Sequence, residues 1–166
     1  MLQPVVRRTW APRGQTPVQY SWDRRDRLSA ISAITVSPQR RRLGLYFDLQ
    51  DRNIITEDFE RFVVALLRRL GRPIILVMDR WQVHRSAARR LRARFGRRVS
   101  IELLPAYAPE LNPDEQVWRH TKYADLANFL PADVQDLRHA VRWSLGSTRS
   151  QHDLLRSFFE HAKLKL

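Results

Sequence analysis

The chain has no cysteine among its 166 residues. Disulfides, thiolate nucleophiles and cysteine-based zinc sites are therefore excluded, which fits a reducing cytosol. Lysine is almost as scarce, being confined to Lys122, Lys163 and Lys165. Acids are few: 17 Asp and Glu face 30 Lys and Arg. Long apolar runs are missing too. The longest, residues 62–67, is far short of a membrane span, and no signal-peptide core follows Met1. A soluble, intracellular protein without a membrane role is expected.

The positive charge is therefore carried mainly by arginine, and the formal net charge is +13. Guanidinium forks pair with phosphate in two-point contacts, so a polyanion such as nucleic acid is the natural partner. A GC-rich coding sequence would also raise arginine, but it would not thin out the acids. A hydrophobic fraction of 43% is enough for a core, and the length suits one domain over residues 1–166.

Residues 1–27 are polar and punctuated by Pro12, Gly14 and Pro17, which predicts turns. Residues 28–36 and 43–47 read as a strand pair joined by a hairpin. Phe59, Phe62, Val63, Leu66, Leu67 and Leu70 recur at three and four, which predicts a helix capped at Thr56 and stopped by Gly71 and Pro73. The run "IILVM" predicts a strand covered on both faces. A short helix over 85–95 turns Ala88, Leu91 and Phe95 inward, and a strand over 99–104 alternates at Val99, Ile101 and Leu103. Asn112-Pro113 opens another helix. Two more are expected near 131–145 and 150–163. The order predicts an α/β sandwich around one mixed sheet, with its core over about residues 5–125 and C-terminal helices over 131–163.

Asp79 ends the apolar strand, where α/β folds gather ligands. Glu115 lies in the first turn of the helix after the next strand. Two carboxylates brought together repel unless a proton or cation intervenes, and hard oxygen ligands suit Mg²⁺ or Mn²⁺. A pair of such ions stabilises attacking and leaving oxygens in phosphoryl transfer. The ordinary alternatives stay open. A strand-ending Asp also serves turns, and a first-turn Glu also serves the helix dipole. Residues 80–98 hold eight arginines and no acid. Beside a phosphate site this favours DNA contact over a merely solvated face, and Arg80, Arg85, Arg89 and Arg92, with Asn112 and Lys122, are the candidate contacts. His84, five residues after Asp79, suits a helix cap or packing role better than a ligand. Trp10 and Trp118 read as core.

The segments "VMDRWQVHRSAARRL" and "LLPAYAPELNPDEQVWRHTK" closely resemble the catalytic core of Tc/mariner-like bacterial insertion-sequence transposases. These are Asp-Asp-Glu (DDE) endonucleases with a ribonuclease-H-like fold. The resemblance covers about residues 5–140. It implies that Asp79 is the second catalytic acid and Glu115 the third, with Asp114 as rival to Glu115, and places His84 beside the active site. It implies two Mg²⁺ or Mn²⁺ ions, DNA element ends and target as partners, a homodimer, and a place in the bacterial cytoplasm with the nucleoid. "RRTWAPRGQTP" resembles the segment that follows the first catalytic aspartate, so that acid and the central first strand are expected to precede Met1. Asp23, Asp26, Asp48 and Asp51 do not match it. The expectation is a transposase catalytic domain that is inactive alone. The alternatives are a non-catalytic DNA-binding remnant or half of a split transposase.

Overall fold

The computed structural model describes residues 7–18 and 28–166; Asp23 and Asp26 lie outside them. Residues 7–18 run over the surface without regular structure. Gly14, at φ +81°, closes the expected turn there, with Gln15 N–H donating to the Pro12 carbonyl at 3.0 Å. Trp10 stands fully in solvent at 101% exposure, not in the core.

Strands β1 (Ser29–Val36) and β2 (Leu43–Gln50) pair antiparallel, with Val36 opposite Leu43. The turn is held by Ser37 N–H on the Arg42 carbonyl and Arg40 N–H on the Ser37 carbonyl. β2 runs three residues further than expected. Asp48 therefore lies inside the strand, opposite Ile31, rather than at its end.

Helix α1 (Thr56–Leu70) begins where the apolar period begins, but its cap is Ile55, one residue before Thr56. Asp58 reaches back to accept the Ile55 N–H at 3.1 Å, which answers one of the orphan donors of the first turn. Gly71, at φ +65°, ends the helix in the left-handed conformation that glycine adopts without a Cβ clash. Strand β3 (Ile74–Met78) and strand β4 (Val99–Leu103) then pair in parallel, linked by helix α2 (Gln82–Phe95). α2 starts three residues earlier than the sequence suggested, which takes His84 into its first turn. Helix α3 (Pro113–His120) runs into one π-helical turn, Thr121–Asp125. Helices α4 (Val134–Ser150) and α5 (His152–His161) complete the chain. No helix among the described residues is long and apolar enough to cross a membrane.

The expected architecture is present as a mixed α/β fold, but the expected single sheet is not. The described strands form two separate ladders, β1–β2 and β3–β4. Two apolar clusters match them. One joins Leu43, Leu45 and Leu49 to Val117, Val141, Leu145, Leu155 and Phe158. The other joins Phe59, Val63 and Leu67 of α1, Ala87, Ala88 and Leu91 of α2, and Met78, Val99 and Ile101. Each fully buried aliphatic side chain contributes about 1.5–3 kcal/mol. β1 belongs to both clusters: Ile31 enters the second, while Ala30 and Ile34 pack on the first. Alternate strand residues point to opposite faces, so one strand forms a shared wall.

The expectation that β3 is covered on both faces fails. Ile74, Leu76 and Met78 face α1 and α2, whereas Ile75 is 73% and Val77 56% exposed. Among the described residues, helices cover that ladder on one face only. Leu103 departs as well: it is 38% exposed, because the chain leaves the strand there.

Candidate active site

Asp79 follows the last residue of β3. Its Oδ1 accepts the Trp81 N–H at 2.9 Å and lies 2.6 Å from His84 Nδ1. Both partners enter through the first turn of α2, so the strand-to-helix connection fixes the carboxylate's rotamer. His84 is itself wedged in place. Its ring centroid lies 4.3 Å from that of Phe59 on α1 and 5.2 Å from that of Trp81, edge-on. With Nδ1 donating to Asp79, the imidazole acts as an orienting group. Asp79 Oδ2 carries no hydrogen bond among the described residues.

Glu115 reaches the same place from α3. Asn112 caps that helix, its side-chain carbonyl accepting the Asp114 N–H at 3.1 Å, and Pro113 occupies the first helical position, where no N–H is needed. Glu115 has no ion-pair partner among the described residues. Its carboxyl is held above the usual range, first by partial burial and then by the negative charge of Asp79. The two acids are therefore electrostatic neighbours although they come from different elements.

Asp114 points the other way. Its Oδ2 accepts the Ser32 hydroxyl at 2.6 Å, which ties α3 to β1, and its buried Oδ1 has no partner. Burial pushes its pKa up to about 6, against the hydrogen bond from Ser32. Asp114 thus braces the helix, and Glu115 is the acid that feels the charge of Asp79. Nothing in the local sequence pointed to Ser32, which is 82 residues away from Asp114. Phe59 and Trp81 were likewise invisible as site residues, the first because it fits a plain helical core stripe.

The arginines line an open groove of about 420 Å³ between α2 and β4, walled by Gln82, Arg85, Ala88, Arg89, Arg92 and Leu103. Arg85, Arg89 and Arg92 share one helix face by their spacing. Arg92 donates to the Ile101 carbonyl at 2.7 Å and Arg80 to the Leu104 carbonyl at 3.0 Å. Arg85 bonds Gln82, and Arg89 has no partner among the described residues. Arg90 lies on the other side of the helix, paired with Glu57 and Glu60 of α1. The remaining candidates lie elsewhere. Asn112 is committed to its cap, and the Lys122 ammonium lies 5.8 Å over the Tyr123 ring on the π-helical turn.

One loop joins groove and acids. Leu104 N–H donates to the Met78 carbonyl at 2.9 Å, and the chain then passes Pro105, Tyr107 and Pro109 before reaching Asn112. Tyr107 is 102% exposed and sits at φ +57°. A residue with a Cβ is disfavoured there by about 1–2 kcal/mol.

Residues 1–138 match the DDE superfamily endonuclease family. The chain belongs to that superfamily. No curated protein matches it. Among solved structures it is similar to a protein in the crystal structure of the Mos1 strand transfer complex, with a TM-score of 0.63 and 16% sequence identity. That match covers 98% of this chain and 48% of the other, so the chain spans about half the length of that relative. The likeness gives this DDE-superfamily chain its fold, the ribonuclease-H-like α/β architecture. Among the described residues, no group of three or more acids or histidines is arranged to hold a metal ion.

Proposed function

We propose that this domain cuts and joins DNA strands as the catalytic domain of a Tc/mariner-like transposase. The observation that carries the reading is that Glu115 feels the negative charge of Asp79, with no arginine or lysine paired to either acid among the described residues, in a domain whose α2 lines a groove with arginines. Membership of the DDE endonuclease superfamily and a fold shared with a protein of a strand transfer complex support it.

The donor set fits a hard divalent cation: two carboxylates close enough to repel, one with an unbonded oxygen. Asp79 and Glu115 would hold Mg²⁺ or Mn²⁺, which stabilises charge developing on the phosphate oxygens when bound. The chain's own residues do the positioning. Trp81 N–H and His84 aim Asp79. The Asn112 cap and the Ser32–Asp114 bond aim Glu115. Arg85, Arg89 and Arg92 hold the phosphate backbone, with Arg80 at the strand end.

A two-ion site takes a third carboxylate, and the described residues supply two. On this reading cutting depends on a further carboxylate besides Asp79 and Glu115, which an added strand bearing an aspartate would supply. The test is nicking of supercoiled plasmid in Mg²⁺ or Mn²⁺, by the chain alone and by the chain extended upstream with such a strand. Nicking by the extended protein, lost in Asp79→Asn and Glu115→Gln, supports the proposal. Nicking unaffected by those substitutions overturns it. A second reading, a non-catalytic DNA-binding protein or half of a split enzyme, is favoured by the lack of a three-ligand cluster among the described residues. It predicts salt-sensitive DNA binding with no nicking in either form. A homodimer on DNA is the expected assembly under the first reading.

A further inference from the structure

We infer that Tyr107 is a stacking platform for an unpaired nucleobase of bound DNA, next to the strand that the acids address. The inference rests on the reading that this domain handles DNA, and it adds which form of DNA is preferred.

Three observations converge. The ring is fully exposed and makes no hydrogen bond or ring contact with any described residue, so it contributes nothing to the core. The backbone holds it at φ +57°, a conformation that tyrosine resists and glycine would accept. Such backbone is found where the surrounding structure over-determines it, and function is a common reason. Here the over-determination is visible. Pro105 and Pro109 flank the turn, Leu104 is bonded to the carbonyl of the residue before Asp79, and the far end runs into the cap of the helix that carries Glu115.

Position separates Tyr107 from the other exposed aromatics. Trp10 lies on the irregular N-terminal segment, Trp143 on α4, and Tyr123 on the π-helical turn beneath the Arg7 and Lys122 cations, while Trp81 at the start of α2 is engaged edge-on with His84. Tyr107 alone lies on the loop tied at one end to the Asp79 strand and at the other to the Glu115 helix. Leu103, four residues earlier, is a wall of the arginine groove. On this inference a strand whose phosphates follow Arg85 and Arg89 passes Leu103 and presents its bases to the loop that begins there. Every base has a π-face, and a tyrosine face takes any of them. Bases inside a duplex are covered by their neighbours, so the ring favours a base that is unstacked, at an overhang or a flipped position.

The experiment compares two DNAs with the 166-residue chain: a blunt duplex, and the same duplex with a short 3′ overhang containing 2-aminopurine. Binding is read by anisotropy and stacking by 2-aminopurine quenching. The overhang DNA should bind about tenfold more tightly than the blunt duplex, with quenching. Tyr107→Ala should lose both the preference and the quenching, and Tyr107→Trp should keep them. Affinity for the blunt duplex should change less than about twofold in either. Tyr107→Gly controls for folding: it should melt no lower than the parent yet lose the quenching. Equal quenching in the parent and Tyr107→Ala overturns the inference while leaving DNA binding intact. Failure to bind either DNA overturns it together with the proposed function.

Discussion

His84 Nδ1 lies 2.6 Å from Asp79 Oδ1, and the imidazole is packed against Phe59. A group that orients a ligand from behind is felt through the ligand. His84→Ala should weaken Mn²⁺ binding by the protein about tenfold or more, measured by calorimetry on the form extended with the third acid. Its melting temperature should fall only modestly. A variant with parental metal affinity would reduce His84 to a packing residue.

The arginine groove predicts a salt signature. If about four to six phosphates are neutralised, log affinity for duplex DNA should fall against log salt with a slope of about −4 to −5. Replacing Arg85 and Arg89 together by Ala should bring the slope about two closer to zero, roughly one for each lost contact. Arg90→Ala should leave the slope unchanged, because that guanidinium is already paired with Glu57. A flat response in the parent would remove the electrostatic argument.

Acid should weaken the fold through Asp58. The Arg52 hydrogen bond, more than any other influence, draws its pKa from 3.8 down to about 2. A carboxylate with a depressed folded-state pKa stabilises the native state above its unfolded value, and that contribution is lost as pH falls from about 4 towards about 2. Asp58→Asn keeps an acceptor for the Ile55 N–H and removes the titration. Its melting temperature should therefore change less between pH 4 and pH 2 than that of the parent. Parallel pH profiles would contradict the assignment.

Neighbouring residues of the β3–β4 ladder should respond very differently to substitution. Val77→Thr, on the open face, should change unfolding free energy by less than about 0.5 kcal/mol. Ile101→Ala, 4% exposed under α2, should be destabilising by about 2–5 kcal/mol. Urea denaturation measures both. A large loss at Val77 would mean that its face is covered in solution.

Much of this arrangement could be read from local pattern. α1 was legible because its stripe, acidic start and glycine stop all agree. Asn112-Pro113 announced α3 for the same reason, and strand-end Asp79 and first-turn Glu115 followed from the elements that carry them. What escaped depends on partners distant in sequence. Five apolar residues in a row look the same whether one face of a strand is covered or two, so the exposure of Ile75 and Val77 carried no local signal. Leu103 fits the alternation of β4 and still leaves the core, since the turn after it is set by Leu104 bonding Met78. The Ser32–Asp114 bond joins β1 to a helix 82 residues further on, a placement that no periodicity encodes. The left-handed backbone of Tyr107 sits between two prolines that mark a turn without giving its hand.

The shared wall formed by β1 links distant parts of the molecule mechanically. Ile31 is seated in the α1–α2 core, and Ser32, the next residue, grips the helix that carries Glu115. Packing changes around Ile31 therefore do not stay local. A bulkier or smaller side chain there is expected to reach the Ser32 hydroxyl through the strand, and through it the helix that carries Glu115. Ile31 touches neither acid, yet substitution there is a way for evolution or design to reach the helix that carries Glu115.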